Sequence, residues 1–192
     1  EFFAVELSSF QLHWTYSMSP YASVVLNIAE DHVDWHGSFD AYKADKARVY
    51  EHTQVACIFN TDHVDTLRMV ENADVIEGAR AIGFSSTEMP AVSMLGLAED
   101  IMVDRAFLKN RYNEAYELAV LEDLAPAPGK MPAKHTVENA LAAAALCRAA
   151  DIDPKAVGAG LRSFKTGAHR NQLVGYANDI MWVNDSKATN PH

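Results

Sequence analysis

Four short apolar runs constrain this chain more than any other feature: 2–7 (FFAVEL), 21–28 (YASVVLNI), 55–60 (VACIFN) and 81–84 (AIGF). Each is too short for a stable helix and too continuously apolar for a strand with one wet face, so they read as strands buried on both sides. Helical segments at 39–50 and from Asp62 to about Val70 lie between them. Strand and helix in alternation call for right-handed crossovers between parallel strands. The expected fold class is α/β, a mostly parallel sheet flanked by helices. From 88 to 124 the pattern changes to AVSMLGL, IMVD and AYELAVL between polar turns, which suggests a small antiparallel portion. The loop PAPGKMPAKH then leads to a helix over 136–150, whose alanine stripe permits close packing on a sheet. Asp153-Pro154 supplies an N-cap and first turn for a second helix, 155–164, with Gly167 closing it. A strand at 172–176, a turn at Ala177-Asn178-Asp179 and a strand at 180–183 begin a new unit. A domain boundary is therefore expected near Gly167 to His169, giving units 1–167 and 168–192.

The 192 residues, 49% hydrophobic and 22% charged, are enough for one good core or for a domain plus a piece of another. A formal net charge of −10 argues against a nucleic-acid or membrane surface but leaves room for a local phosphate site. No apolar run approaches the roughly 20 residues that span a bilayer, and EFFAVEL lacks a basic leader, so a cytoplasmic protein is expected. Cys57 and Cys147 fit buried free thiols. A start without Met inside a strand-like run, and an end at NPH, read as a fragment of a longer protein.

Within 30–50, EDHVDWHGSFDAYKADKARVY, an acid- and imidazole-rich turn meets an amphipathic helix. With Ser38 as N-cap and about 100° per residue, Phe39, Tyr42, Val49 and Tyr50 share one face, and Lys46 falls at its centre. Lys43 lies at the edge and Arg48 on the opposite, solvated side. A lysine held inward loses hydration, which lowers its pKa and frees a neutral amine to attack a carbonyl, act as a base or take up CO₂ as a carbamate. Snorkelling to the rim or pairing with a nearby carboxylate is the plainer alternative. Glu6 and His32, at the carboxyl ends of two expected strands, make with Lys46 a hard-metal set only if the lysine is a carbamate, because an ammonium repels a cation. Asp31, His32, Asp34 and His36 form a rival set, the compact centre of a metal-dependent phosphohydrolase. A second group is Asn139, Arg170, Asp185 and Lys187, with Thr189 beyond. There a guanidinium can clamp phosphate, a carboxylate can take ribose hydroxyls and a lysine can meet a terminal phosphate. An ordinary polar turn is the alternative.

ELSSFQL at 6–12, LNIAEDHVDWHGSFDAYKADKARVY from Leu26, HTVENALAAAAL from His135, His169-Arg170, and NDSKATN from Asn184 together resemble the Mur ligases. Within them the chain is most similar to the member that joins D-glutamate to UDP-N-acetylmuramoyl-L-alanine. The resemblance implies a P-loop-type central ATP-binding domain followed by the first hairpin of a Rossmann-like C-terminal domain. It implies an ATP-dependent amide-bond ligase of peptidoglycan precursor synthesis, working through an acyl phosphate with ATP and Mg²⁺. Carried over residue by residue, Glu6 and His32 serve Mg²⁺ and Lys46 is the carbamylated lysine between metal and substrate. Asn139 meets adenine, Arg170 the phosphates, Asp185 the ribose and Lys187 the terminal phosphate. Ser8 and Gln11 match positions contacting the UDP-muramoyl substrate, and Thr189 one near D-glutamate. The implied partners are these small molecules, with neither nucleic acid nor membrane, and a monomer is expected. The family's glycine-rich phosphate loop would lie upstream of Glu1, and AHTVEN and TGAHRNQ vary from the commoner forms, so this piece alone is expected to be inactive. A non-catalytic nucleotide-binding domain is the remaining class.

Overall fold

In a computed structural model, residues 1–127, 129–165 and 167–188 are described. Among them, six strands form one sheet in chain order: β1 (Ala22–Val25), β2 (Ala56–Asn60), β3 (Arg80–Phe84), β4 (Met94–Ala98), β5 (Ile101–Asp104) and β6 (Tyr116–Val120). β1 to β4 run parallel, and β4 to β6 form an antiparallel meander. The helices are α1 (Ser9–His13), α2 (Val33–His36), α3 (Phe39–Ala47), α4 (Val64–Glu71), α5 (Lys134–Ala149) and α6 (Pro154–Ser163). β7 (Gln172–Ala177) and β8 (Ile180–Asn184) make a separate antiparallel hairpin. Its turn residues Asn178 and Asp179 both have positive φ, 51° and 60°, the backbone that a two-residue hairpin turn requires. Among the described residues no helix is long and apolar enough to cross a membrane.

Alternation along β2 explains the layers. Ala56 and Ile58 face one side, where they join Ile82, Phe84, Leu95 and Met102 under Leu141, Ala144 and Ala145 of α5 and Val157 and Leu161 of α6. Cys57 faces the other side, with Val25, Tyr50 and Met69. Every residue of β2 is buried, as a strand covered on both faces must be. α5 lies close to the sheet because its inner face is mostly alanine. α6 comes equally close to β6, where a Cβ at Gly158 would overlap the Leu118 carbonyl oxygen.

The structure departs from the sequence reading in four places. Residues 2–7 form no strand, and Phe2, Phe3 and Val5 are exposed. The edge strand β1 takes no second partner among the described residues, so this run joins no ladder. The Phe2 ring instead meets Tyr21 edge-on at 5.3 Å. The small antiparallel strands expected over 88–124 are present, and they join the main sheet because Gly83 and Phe84 of β3 pair in parallel with Met94 and Leu95. The helix expected over 39–50 ends at Ala47 and tightens into a 3₁₀ turn, Arg48–Tyr50. Arg48 is not a solvated charge: Nη2 donates to the Thr15 carbonyl at 2.6 Å and the guanidinium covers the Tyr16 ring. Gly167 does not close α6, whose C-cap is Phe164 in extended conformation, while Asp153 caps its start through a bond from Lys155 N.

One buried ion pair ties the antiparallel part to α5. Arg148 Nε donates to Asp104 Oδ2 at 2.9 Å, and Asp104 Oδ1 accepts from Ala106 N and Phe107 N at 2.7 and 3.0 Å. With Asp104 fully buried and Arg148 nearly so, loss of the carboxylate strands a charge away from water. Asp104→Ala is expected to destabilise the fold by about 3–5 kcal/mol. Urea unfolding followed by circular dichroism measures this, and a change below about 1 kcal/mol would contradict the ledger of that pair.

Candidate functional site

A cavity of about 1200 Å³ opens where the chain leaves β1 and where α5 begins. Open α/β sheets gather ligands at the carboxyl ends of parallel strands, where loops replace ladder hydrogen bonds and the amino ends of helices point outward. Asn27, Ala29 and Asp31 line it from the loop after β1, and Tyr42 and Lys46 from α3. Lys134, His135, Thr136, Glu138 and Asn139 line it from the first turns of α5. An apolar wall follows between α5 and α6, from Ala140 and Ala144 to Leu161 and Phe164. Arg170, Asn171, Asp185 and Lys187 close the far side. The cavity thus has an apolar slot beside a rim of lysine, arginine, amide and carboxylate groups.

α3 begins as the sequence predicts, with Ser38 Oγ accepting from Ala41 N at 3.1 Å. Lys46 is half-buried and its pKa is lowered by burial, against which the Glu6 carboxylate acts. Glu6 itself is exposed. Tyr42, buried on the same side of the helix, has its hydroxyl pKa raised by burial and by the Asp31 charge. At the turn into α2, His32 adopts a left-handed backbone, φ 52° and ψ 28°. Its N–H donates to Asp31 Oδ1 at 2.8 Å, its Nε2 lies 3.4 Å from Asp31 Oδ2, and its ring packs on Phe10 at 4.8 Å.

Asn139, Arg170, Asp185, Lys187 and Lys46, residues far apart in sequence, line this one cavity. The hairpin brings the far-side groups together: Gln172 pairs with Asn184, Lys187 N donates to the His169 carbonyl at 3.1 Å, and Asp185 Oδ1 accepts from Asn171 N at 2.8 Å. Ser8 and Gln11 are occupied otherwise. They form a reciprocal capping box at the start of α1, with Gln11 Oε1 accepting from Ser8 N at 2.9 Å and from Ser8 Oγ at 3.0 Å. Glu6 and His32 do not line the cavity, and Thr189 lies outside the described residues.

The rival hydrolase centre does not assemble. The His36 side chain is fully buried and both ring nitrogens are engaged, Nδ1 by Asp45 at 2.8 Å and Nε2 by Ser9 Oγ at 3.0 Å, while Asp34 is exposed. Among the described residues no three His, Cys, Asp or Glu side chains converge on a point that a cation could occupy. Mg²⁺ does not require such a cluster, since it takes one or two carboxylate oxygens from a protein and completes its shell with substrate phosphates and water. Sequence reasoning missed Asp45 and His13, and it singled out His36 for a metal role rather than for its bond to Asp45. The signal was a second charge one position before Lys46, and its partners were hidden by separations of 9 and 32 residues.

A family model described as "Mur ligase middle domain" matches residues 1–147. A UDP-N-acetylmuramoylalanine--D-glutamate ligase of Leifsonia xyli subsp. xyli is 51% identical over 98% of this chain, which spans 37% of that relative's length. A solved UDP-N-acetylmuramoyl-L-alanyl-D-glutamate--2,6-diaminopimelate ligase superposes with a TM-score of 0.62 at 18% identity, covering 89% of this chain and 34% of that one. A MurF ligase from Thermotoga maritima, solved in complex with ADP, gives 0.56 at 14% identity, covering 87% of this chain and 35% of that one. These two likenesses carry the fold alone. With the model match over most of its length and a relative above half identity, the chain belongs to the Mur ligase family.

Proposed function

We propose that this chain is the central part, with the start of the next domain from about residue 168, of an ATP-dependent ligase that joins D-glutamate to UDP-N-acetylmuramoyl-L-alanine. The 51% identity to a relative of that name supports the substrate pair. The observation that carries the reading is the cavity itself, in which a pKa-lowered lysine on one side faces an arginine, a carboxylate and a lysine on the other. That is the equipment for holding a nucleotide while an anionic acceptor is activated. The reading carries with it a cytoplasmic, monomeric enzyme acting in peptidoglycan precursor synthesis.

In this reading the substrate carboxylate attacks the γ-phosphate of ATP, breaking its bond to the β-phosphate oxygen to release ADP and give an acyl phosphate; the neutral D-glutamate amine then attacks the acyl carbon, forming the amide with loss of phosphate and a proton. Such a reaction needs positioning, charge stabilisation and exclusion of water more than covalent help from the protein. Asn139 is assigned to the adenine, beside the apolar slot between α5 and α6. Arg170 is assigned to the phosphates, where its fork matches paired oxygens. Asp185 takes the ribose hydroxyls and Lys187 the terminal phosphate. Glu6, His32 and carbamylated Lys46 would hold Mg²⁺, which when bound neutralises phosphate charge. Burial of Lys46 favours the neutral amine that CO₂ requires. Ser8 and Gln11 are kept as contacts for the UDP-muramoyl substrate, which requires their capping box to open or to offer its outer atoms, and Thr189 is kept near D-glutamate.

Two measurements on a full-length protein carrying this chain test these roles. Lys46→Ala is expected to lower kcat by about 10³-fold or more while ATP affinity, by calorimetry, stays within about threefold, because the change removes charge stabilisation of the reacting groups and leaves the nucleotide contacts. Short-chain carboxylic acids, standing in for the carbamate, are expected to restore part of the rate. A fully active Lys46→Ala enzyme would remove the residue from the mechanism. Arg170→Ala is expected to weaken ATP binding by about tenfold or more, the loss of a charge-assisted hydrogen bond to phosphate. Unchanged ATP affinity would place the guanidinium outside the nucleotide site.

A further inference from the structure

α3 carries Lys46 but offers little apolar surface with which to dock. Of its nine residues, Tyr42 and Asp45 are the buried ones, and Asp45 precedes Lys46 by one position, about 100° around the helix. Whatever fixes the azimuth of Asp45 therefore fixes that of Lys46. Asp45 is held from two other helices. Oδ2 receives His36 Nδ1 of α2 at 2.8 Å and His13 Nδ1 of α1 at 2.9 Å, and His13 Nδ1 also lies 3.0 Å from Oδ1.

The hydrogen-bond directions follow from elementary valence. A carboxylate accepts and does not donate, so both Nδ1 atoms carry protons. Nε2 of His36 meets Ser9 Oγ at 3.0 Å, a hydroxyl that can donate to or accept from that nitrogen. The fully buried His36 ring is also fixed by packing, stacked on Phe10 at 5.6 Å and edge-on to Tyr42 at 5.3 Å. Each polar atom of the His36 ring thus has its partner, and a buried network satisfied in this way specifies one arrangement of the helices it joins.

We propose that Asp45, clamped between His13 and His36, is a positioning residue for Lys46: it sets the rotation of α3 and so aims the lysine amine into the cavity. The inference rests on the reading of Lys46 given above. Asp45 does not touch the cavity, and its effect passes through the lysine that follows it.

The test uses a full-length protein carrying this chain, assayed well below its melting temperature, with turnover expressed per ATP-binding site titrated by calorimetry. Asp45→Ala is expected to lower kcat by about 30-fold with ATP affinity within about threefold, the cost of misplacing a reacting group by a fraction of an ångström to an ångström. Asp45→Asn keeps the clamp: its Oδ1 accepts from His36, and its amide donates to His13, whose half-exposed ring can carry its proton on Nε2 instead. Its kcat is expected within about threefold of the unmodified enzyme. Should Asp45→Ala not fold, His13→Ala takes its place, removing one arm of the clamp with an expected loss of about three- to tenfold in kcat. An unimpaired kcat per ATP site in Asp45→Ala, or in His13→Ala standing for it, would overturn the inference. So would an Asp45→Asn enzyme as slow as Asp45→Ala, which would make charge rather than geometry the operative property. Lys46→Ala runs alongside: full activity there defeats the reading of Lys46 itself, whereas an inactive Lys46→Ala beside an unimpaired Asp45→Ala defeats this inference alone.

Discussion

Burial of β2 on both faces is the constraint from which the rest follows. A strand with no wet face needs a covering layer on each side, and here α5 and α6 supply one while Tyr50 and α4 supply the other. Parallel pairing with β1 and β3 then places the loops that leave these strands at one rim. Those loops carry no ladder hydrogen bonds, and the one after β1 sets Asn27 and Asp31 against the cavity. The cavity lies on that rim, between the end of β1 and the start of α5.

Apolar packing fixes the sheet and α5, but it gives α3 little beyond Tyr42 and Ala47. The helix with the candidate lysine is held by a polar clamp, and this changes what its neighbours are for. His36 and Ser9 look, as residue types, like a metal ligand and a nucleophile, yet their heteroatoms are spent on each other and on Asp45. The strained backbone of His32, left-handed without a glycine, belongs to the same turn, and such strain persists only where the surroundings hold it in place. Rigid support behind a half-buried amine is what positional catalysis asks of a scaffold.

Much of this was legible in the sequence, for identifiable reasons. The α/β alternation was visible because two-sided burial leaves continuous apolar runs, and the Ser38 cap and the inward phase of Lys46 were visible because helical periodicity is local. The hairpin of Asn178 and Asp179 announced itself through turn chemistry. Residues 2–7 misled because apolarity signals a wish to be buried, not a partner to pair with. Arg48 misled because a helical wheel knows nothing of the 14–16 loop that reaches it. The Asp45 clamp was out of reach, since an acid beside a lysine on a helix usually means solvated charge, and only the fold brings His13 to it. Ser8 and Gln11 show the converse: the motif drew attention to them, and their geometry reveals a local capping role first.

The most direct measurement is phosphate release by a full-length protein carrying this chain, supplied with ATP, Mg²⁺ and UDP-N-acetylmuramoyl-L-alanine, with and without D-glutamate. The account predicts sustained release only with D-glutamate, matched one for one by amide product. Steady release without the amine would mean a hydrolase, and no release under either condition would leave a nucleotide-binding module; either result contradicts the ligase.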